Sequence, residues 1–277
     1  MDRLDSYLNK LDASDKELLQ TATSAALKAG SILQELYKNP HNIKFKGEID
    51  LVTEADIASE KAIISILSKE SPSINILAEE SAANNIDVQS DPVWIIDPLD
   101  GTTNFAHGFP YFCVSIALYH NNMPKLGVIY APMQDELFYS VIGAGSMLNN
   151  TLLSVSLTKT LNYALLATGF PYDIRKNSKE VIEALHEMLI KAQGLRRAGA
   201  AALDLAYVAA GRFDGFWEIK LKPWDTAAGL LLVQEAGGKV TDFKNREYSP
   251  FCKEILASNG LIHHEMTTIL EKYSFIG

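Results

Sequence analysis

Two aspartates separated by two residues, Asp97 and Asp100, follow an apolar run at 93–96 and precede a glycine and two threonines. The run is short, bulky and bounded by prolines, which is typical of a buried strand. We therefore expect both acids at the rim of a sheet, where ligands bind in layered α/β proteins. Two carboxylates this close repel each other, and Mg²⁺ removes the conflict because it prefers oxygen ligands. Gly101 and Thr102 can open a helix whose free N–H groups bind phosphate, although a plain Asp-Gly turn is the alternative interpretation.

Other acidic residues lie at the ends of predicted elements elsewhere in the chain. Glu79 follows an apolar strand, and Asp225 stands at the start of an apolar helix, where a role as N-cap is the alternative. Asp50 precedes a helix for which Thr53 and Asp56 form a capping box. Each of these acids by itself is explained by local structure. Four acidic sites, each at the end of a strand or helix, are harder to explain by capping alone.

The segment 97–105 resembles the first signature of the inositol monophosphatase family, and the segments 224–229 and 235–238 together resemble the second. Three more segments occur in the family's order along the chain: 50–53, 79–81 and 199–206. The resemblance extends from Leu18 to Asn259, which is nearly the whole chain. It implies a layered αβαβα fold and a Mg²⁺-dependent, lithium-sensitive phosphatase.

The resemblance also implies which residues hold the metal ions. Glu79, Asp97 and the Leu99 carbonyl are expected to hold a first Mg²⁺ ion. Asp97, Asp100 and Asp225 are expected to hold a second, so that Asp97 bridges the two ions. A third and weaker ion is expected near Glu79 with mostly water ligands, which gives two to three Mg²⁺ ions per site.

Catalysis and substrate binding follow from the same resemblance. Thr102, supported by Asp50, is expected to orient the attacking water, and Glu79 to take part in catalysis, so that no protein nucleophile is needed. Glu218 corresponds to a position that contacts inositol hydroxyls in the family. Ala200 is a departure, since many members carry Ser or Thr there. The residues expected to bind substrate are Asp100, Gly101, Thr102, Thr103, Gly199, Ala201, Glu218 and Asp225.

The expected substrate is a small phosphorylated polyol, first of all myo-inositol 1-phosphate. A sugar bisphosphatase or a nucleotide 3′-phosphatase of the same superfamily is the alternative, although the nucleotide enzymes usually carry a basic residue where this chain has Thr103 and Asn104. A regulatory interaction protein that keeps the phosphatase site is a further alternative. Arg196 and Arg197 are available to a partner or a second anionic group, but a solvated basic pair is favoured.

Composition limits the other classes of function. A formal net charge of −9 over 277 residues argues against nucleic acid as the main ligand, because phosphate contacts need clustered Lys and Arg. Cys113 and Cys252 lack metal-site spacing, which favours a reduced, cytoplasmic setting. No apolar run reaches the ~18 residues of a membrane span, so no membrane association is expected. The resemblance implies a homodimer, and His263 and His264 are expected to be exposed.

The element pattern predicts an α+β protein with an antiparallel sheet in its N-terminal half, 1–150, and a smaller mixed α/β half, 151–277. The first half would hold the metal-binding acids and the second the substrate-binding residues. A capping box at 14–17 is expected to begin a long amphipathic helix. Further predicted helices lie at 54–69, 178–192, 200–210, 225–236 and 261–273. Predicted strands lie at 74–78, 93–96, 113–119, 126–130 and 136–141, with a hairpin turn at 121–122.

Overall fold

The structure is a computed structural model that describes residues 7–38, 43–45, 51–81, 92–176 and 178–273. Its helices are α1 (Ala13–Tyr37), α2 (Glu54–Glu70), α3 (Thr102–Ala106), α4 (Lys179–Leu189), α5 (Ala201–Ala209), α6 (Pro223–Glu235) and α7 (His263–Leu270), with a 3₁₀ turn at Leu161–Tyr163. Its strands are β1 (Ile43–Phe45), β2 (Leu51–Thr53), β3 (Asn75–Ala78), β4 (Val93–Asp100), β5 (Cys113–His120), β6 (Met123–Ala131), β7 (Glu136–Val141), β8 (Gly145–Leu148), β9 (Thr151–Leu152), β10 (Leu165–Thr168), β11 (Gly194–Arg196), β12 (Gly215–Ile219), β13 (Lys239–Thr241) and β14 (Glu254–Ser258).

Two sheets form the framework, beside the small pair β1–β2. The larger sheet has the order β3-β4-β5-β6-β7-β8-β9 and is antiparallel except for the parallel pair β3–β4. The smaller sheet has the order β11-β10-β12-β14-β13, with β10 parallel to both of its neighbours and the other pairs antiparallel. The smaller sheet is therefore mixed, as the sequence predicts for this part of the chain.

Alternation along the strands sorts the core into layers. On β4, Trp94 and Ile96 pack with α1 and α2, whereas Val93 and Ile95 pack with α5 and α6 on the opposite face. This is the period-two pattern of a strand buried on both sides. The helices α5 and α6 also contact the inner face of the smaller sheet, whose outer face packs on α4 and α7. The layers thus run αβαβα, and the predicted fold class is confirmed. Within the described part of the chain, no helix has the length and apolarity that crossing a bilayer requires.

Most predicted elements are present, with shifts at their ends. The first long helix begins at Ala13, and Asp12 rather than Ser14 is its N-cap, because the Asp12 carboxylate accepts a hydrogen bond from the Asp15 N–H at 2.8 Å. The turn at 121–122 is confirmed, since Asn121 and Asn122 have φ of 53° and 62°, the left-handed values of a tight hairpin. The predicted strand at 93–96 is too short, since β4 continues through both aspartates.

The helix α6 packs very close to the larger sheet. A Cβ on Gly127 of β6 would lie 2.9 Å from the Ala228 carbonyl oxygen, so only glycine permits this approach. At the beginning of α6, the Ser115 hydroxyl of β5 donates to the Trp224 carbonyl at 3.2 Å. These contacts bring the first turn of α6, and with it Asp225, to the end of β4.

His263 is buried rather than exposed, so the sequence expectation for this residue is wrong. Its side chain is 2% exposed and its two ring nitrogens lie 2.9 Å from the Thr241 hydroxyl and 2.8 Å from the Ser258 hydroxyl. Burial lowers the pKa of His263 from 6.5 to about 4. His264, the next residue, is exposed as expected.

We expect this buried histidine to make the stability of the fold depend on pH. The folded state resists protonation of His263. The contribution of the neutral side chain to the free energy of unfolding is therefore complete above pH 6.5, and it is lost as the pH falls from 6.5 towards 4. At about pH 5 the loss amounts to about 2 kcal/mol relative to about pH 7.5. Urea unfolding of His263→Gln and wild type at both pH values measures the difference, and the exposed His264→Gln is the control. A pH dependence that His263→Gln leaves unchanged would contradict this assignment.

Candidate active site

An irregularity in β4 sets the positions of the two central aspartates. Asp97 pairs with Ser115 of β5, but Asp100 pairs with Cys113, so the pairing shifts by one residue between them. Such a bulge lets two positions three residues apart face the same side of a strand. Pro98, which lacks an N–H, lies in this bulge, and its carbonyl accepts a hydrogen bond from the Ser59 hydroxyl at 2.7 Å.

Four carboxylates lie near enough to one another at this end of the larger sheet to raise the pKa values of Asp97 and Asp225 among them. Burial, and then repulsion from Glu79, Asp100 and Asp225, raises the pKa of Asp97 well above its ordinary value. Burial raises the pKa of Asp100 to about 6, although the backbone N–H groups of residues 201–203 oppose the shift. The pKa of Asp225 is also raised, by burial and by repulsion from Asp100 and Glu79. Glu79 reaches the group because its N–H donates to the Ile96 carbonyl at 3.2 Å, beside β4.

Backbone N–H groups fix one oxygen of each aspartate. Asp97 accepts from the Leu99 N–H at 2.9 Å, Asp100 from the Ala202 N–H at 2.7 Å and Asp225 from the Lys222 N–H at 2.7 Å. As they stand, no three acidic, histidine or cysteine side chains of the described residues converge closely enough to hold a metal ion. Carboxylates that repel one another turn apart, and a hard divalent cation reverses that repulsion. The chemistry of the donor set, carboxylates beside the Leu99 carbonyl, therefore fits Mg²⁺.

The hydroxyl of Thr102 contacts a carboxylate that the sequence analysis assigned only to helix capping. It lies 3.0 Å from Asp56 Oδ1 and 3.0 Å from the Leu99 carbonyl oxygen. The other oxygen of Asp56 accepts from the Thr53 N–H and hydroxyl, both at 2.7 Å, which confirms the predicted capping box. Asp50, the predicted partner of Thr102, lies outside the described residues. Burial raises the pKa of Asp56.

A cleft of about 310 Å³ opens beside Asp100 and Asp225. All eight residues expected to bind substrate line this cleft: Asp100, Gly101, Thr102, Thr103, Gly199, Ala201, Glu218 and Asp225. The glycine at 101 has φ of 96° and begins the short helix α3 at Thr102, as predicted. A wider groove of about 490 Å³ lies between α1 and β7, but its lining side chains carry no charge, which makes it a poor phosphate site.

Glu218 lies on the side of the cleft formed by the smaller sheet. It is 9% exposed, and its carboxylate packs on Gly169 so closely that a side chain there would clash. Burial raises the pKa of Glu218 well above its ordinary value, as does repulsion from Asp204 and Asp225, while Arg197 opposes the shift.

Asp204 and Arg197 also line the cleft, and the sequence analysis named only Arg197, as part of a basic pair. Asp204 is buried in α5 and accepts a hydrogen bond from the Tyr111 hydroxyl at 2.7 Å. A single acid among the apolar residues of 201–209 was the signal that could have identified it, because buried acids are rare without a partner. Arg197 is exposed, but it also lines the cleft and lies over the Phe170 ring at 5.5 Å. The interpretation of Arg197 as one half of a solvated basic pair is therefore incomplete, because this residue also borders the cleft.

The sequence model of the inositol monophosphatase family matches residues 14–274 of this chain. The chain belongs to the inositol monophosphatase family. This match spans both sheets and every residue of the cleft, so the resemblance found in the sequence is confirmed.

Relatives of known name agree with this assignment. The chain is 43% identical to an "Inositol-1-monophosphatase" of Synechocystis sp. over 91% of its own length and 88% of the relative's. It is equally 43% identical to "Nus factor SuhB" of Escherichia coli strain K12, over 87% of this chain and 91% of that protein. The members of the inositol monophosphatase family are phosphatases, and this chain is one of them.

Solved structures agree as well. The crystal structure of extragenic suppressor protein suhB from Bartonella henselae superimposes with a TM-score of 0.87 at 42% identity, over 93% of this chain and 99% of that one. An inositol monophosphatase from Anabaena sp. PCC 7120 gives 0.85 at 42% identity, over 95% and 98% of the two chains. Magnesium dependence and lithium sensitivity are general properties of the inositol monophosphatase family.

Proposed function

We propose that this protein hydrolyses small polyol phosphates, first of all myo-inositol 1-phosphate, by attack of a metal-activated water and without a covalent intermediate. The observation that carries the proposal is the group of four mutually repelling carboxylates, Glu79, Asp97, Asp100 and Asp225, beside the cleft. Such an arrangement is costly without cations. Family membership supports the reaction class.

The metal ligands follow from the carboxylates and one carbonyl. Glu79, Asp97 and the Leu99 carbonyl would hold one Mg²⁺, and Asp97 would share a second with Asp100 and Asp225, with a third ion near Glu79. When bound, these ions lower the pKa of water and stabilise charge on the leaving oxygen. The backbone N–H groups that fix one oxygen of each aspartate keep the ligands oriented before an ion arrives.

Thr102 and Asp56 would orient the attacking water. The single hydroxyl proton of Thr102 can bond to only one of its two acceptors at a time. When it is donated to Asp56, the Leu99 carbonyl is left for a cation, and the lone pairs of Thr102 accept a hydrogen bond from the water. Among the described residues, Asp56 is the carboxylate bonded to Thr102, and we propose that it supports this hydroxyl, while the role expected of Asp50 stays a prediction. The N–H groups near Gly101 and Thr102 would hold phosphate oxygens.

The polyol would lie between Glu218 and the loop that precedes α5. Glu218 would accept hydrogen bonds from ring hydroxyls, and Gly199 and Ala201 line the same cleft. The side chain of Ala200 is buried and supplies no hydroxyl. A buried carboxylate discriminates strongly between substrates, because a substrate without matching hydroxyls leaves it unsatisfied.

A panel of phosphate monoesters assayed with Mg²⁺ tests the proposal. It includes myo-inositol 1-phosphate, fructose 1,6-bisphosphate, adenosine 3′,5′-bisphosphate and a small aryl phosphate, each with and without a chelator. We expect the inositol ester to have the highest kcat/KM and the chelator to abolish turnover. Full activity in the chelator would overturn the mechanism, and a preference for the nucleotide or the bisphosphate would overturn the substrate assignment.

On the same panel, Glu218→Gln tests how the polyol is recognised. We expect kcat/KM for the inositol ester to fall by about tenfold or more, since a charged acceptor is lost, while the aryl phosphate changes by less than about threefold. Glu247→Gln, which removes an exposed charge outside the cleft, is the control. Equal losses on both substrates would show that Glu218 supports the fold or the metal ligands instead.

The relatives named Nus factor SuhB favour a second candidate, a regulatory interaction role. The Nus factor SuhB of Escherichia coli K12 and the relative named Inositol-1-monophosphatase are equally similar to this chain, at 43% identity each. Failure of the Mg²⁺-loaded protein to turn over any ester of the panel would favour the interaction role.

A further inference from the structure

The two sides of the cleft come from distant parts of the chain. Gly101 and Thr102 form the proposed phosphate side, at the beginning of α3, whereas Gly199 and Ala201 belong to the proposed polyol side, nearly a hundred residues later. The separation of the two sides decides whether one substrate reaches both. Something must therefore fix the loop before α5 against α3.

Asn104 makes that connection with one amide group. Its Nδ2 donates to the Ala198 carbonyl at 2.8 Å, to the Tyr111 carbonyl at 2.7 Å and to the Gly199 carbonyl at 3.3 Å. All three partners are acceptors, so the amide must present its NH₂ to them. The two shorter bonds join α3 to the segment that follows it and to the loop before α5.

The surrounding contacts leave little room for slippage. Gly101 and Gly199 both have left-handed φ, of 96° and 90°. A Cβ on Gly101 would lie 3.0 Å from the Tyr111 carbonyl oxygen and 3.3 Å from the Ala200 Cβ. A Cβ on Gly199 would lie 3.3 Å from Asn104 Nδ2. The backbone of the two sides is thus in close contact around the Asn104 amide.

The same connection continues to the bottom of the cleft. Tyr111 accepts from Asn104 through its carbonyl and donates through its phenol to Asp204, which lines the cleft. Asp100 is joined to the same loop, because it accepts from the Ala202 N–H. The Asn104 amide therefore lies at the centre of the contacts between α3 and the beginning of α5.

We propose that Asn104 is a positioning residue that sets the distance between the phosphate-binding turn and the polyol-binding loop, and so determines specificity for polyol phosphates. The inference rests on the proposed function. The Asn104 amide is engaged with backbone carbonyls of the two sides, so its loss should change the binding of the polyol more than the chemical step. A substrate that uses only the phosphate side should be nearly unaffected.

Two variants and a control on the same helix test this. Asn104→Ala removes the bridge, and Asn104→Asp keeps the shape but places acceptors against three carbonyl oxygens. His107→Ala changes the exposed C-cap of α3 and is the control. For each Mg²⁺-loaded variant, kcat and KM are measured on myo-inositol 1-phosphate and on a small aryl phosphate. Hydrogen exchange of peptides covering 195–203 gives a readout that is independent of activity.

We expect KM for the inositol ester to rise by about tenfold in Asn104→Ala and further in Asn104→Asp, because displacements near an ångström are costly. The aryl phosphate should change by less than about threefold, and exchange in 195–203 should increase in both variants but not in His107→Ala. Equal losses on both substrates, a fall in kcat alone, or unchanged exchange would overturn the proposal. If wild type hydrolyses no ester of the panel, the proposed function fails instead, and the exchange experiment still tests the bridge. If Asn104→Asp does not fold, the KM values and the hydrogen exchange of Asn104→Ala test the proposal by themselves.

Discussion

Asp97→Asn should lower kcat for phosphate monoester hydrolysis by at least ~10³, because it removes the charge proposed to bridge two cations. The carboxamide keeps the size of the side chain and its place in the β4 bulge, so the fold should survive. The measurement is kcat with Mg²⁺ on the inositol ester, with Glu265→Gln on the exposed face of α7 as the control. Retention of more than about a tenth of wild-type turnover, a loss of only ~1.4 kcal/mol, would refute the metal assignment.

The same substitution should stabilise the protein when metal is withheld. Burial and three neighbouring carboxylates raise the pKa of Asp97 in the folded state. A raised folded pKa means that the ionised group costs stability above its unfolded pKa, and that this cost disappears as the pH falls. In a chelator at neutral pH, the Tm of Asp97→Asn should therefore equal or exceed that of wild type. A clear fall in Tm would show that Asp97 is a structural acid.

The sequence predicts the parts of the site that lie beside strong local patterns. Asp97 and Asp100 stand out because an apolar strand ends in paired acids, and Glu79 and Asp225 because each adjoins another apolar element. The structure brings these four carboxylates together. The layer order was available only through the family resemblance, because periodicity gives faces of elements but not the partners on which they pack.

The features that the sequence analysis missed depend on contacts between distant residues. Asp56 has a complete local explanation as a capping residue, so its bond to Thr102, 46 positions away, leaves no trace in the sequence pattern. His263 resembles a surface residue because it stands beside His264 at the beginning of a helix. Only the neighbouring strands supply the Thr241 and Ser258 hydroxyls that allow its burial.

Asp56→Asn should lower kcat by about a hundredfold with little change in KM, the size expected when a group that orients a proton transfer is lost. The carboxamide can present its NH₂ to the Thr102 hydroxyl and turn the hydroxyl proton towards the Leu99 carbonyl. Thr102 then no longer accepts from the attacking water in the required direction. Steady-state kinetics on the inositol ester with saturating Mg²⁺ measures the effect.

Two further substitutions separate the support of Thr102 by Asp56 from two other roles: the capping of α2, and the support of Thr102 that the resemblance implies for Asp50. Thr53→Val removes the hydroxyl that shares the α2 cap with Asp56. It should therefore lower stability by about 1 kcal/mol while kcat stays within about threefold of wild type. Asp50→Asn tests the role that the family resemblance implies for Asp50. A kcat within about threefold of wild type would leave Asp56 as the support of Thr102, whereas a loss as large as that in Asp56→Asn would show that Asp50 supports this hydroxyl as well. A loss in Thr53→Val of the same size would show that the effect of Asp56 comes from the helix cap, since Asp56 is the member of this cap that is also bonded to Thr102.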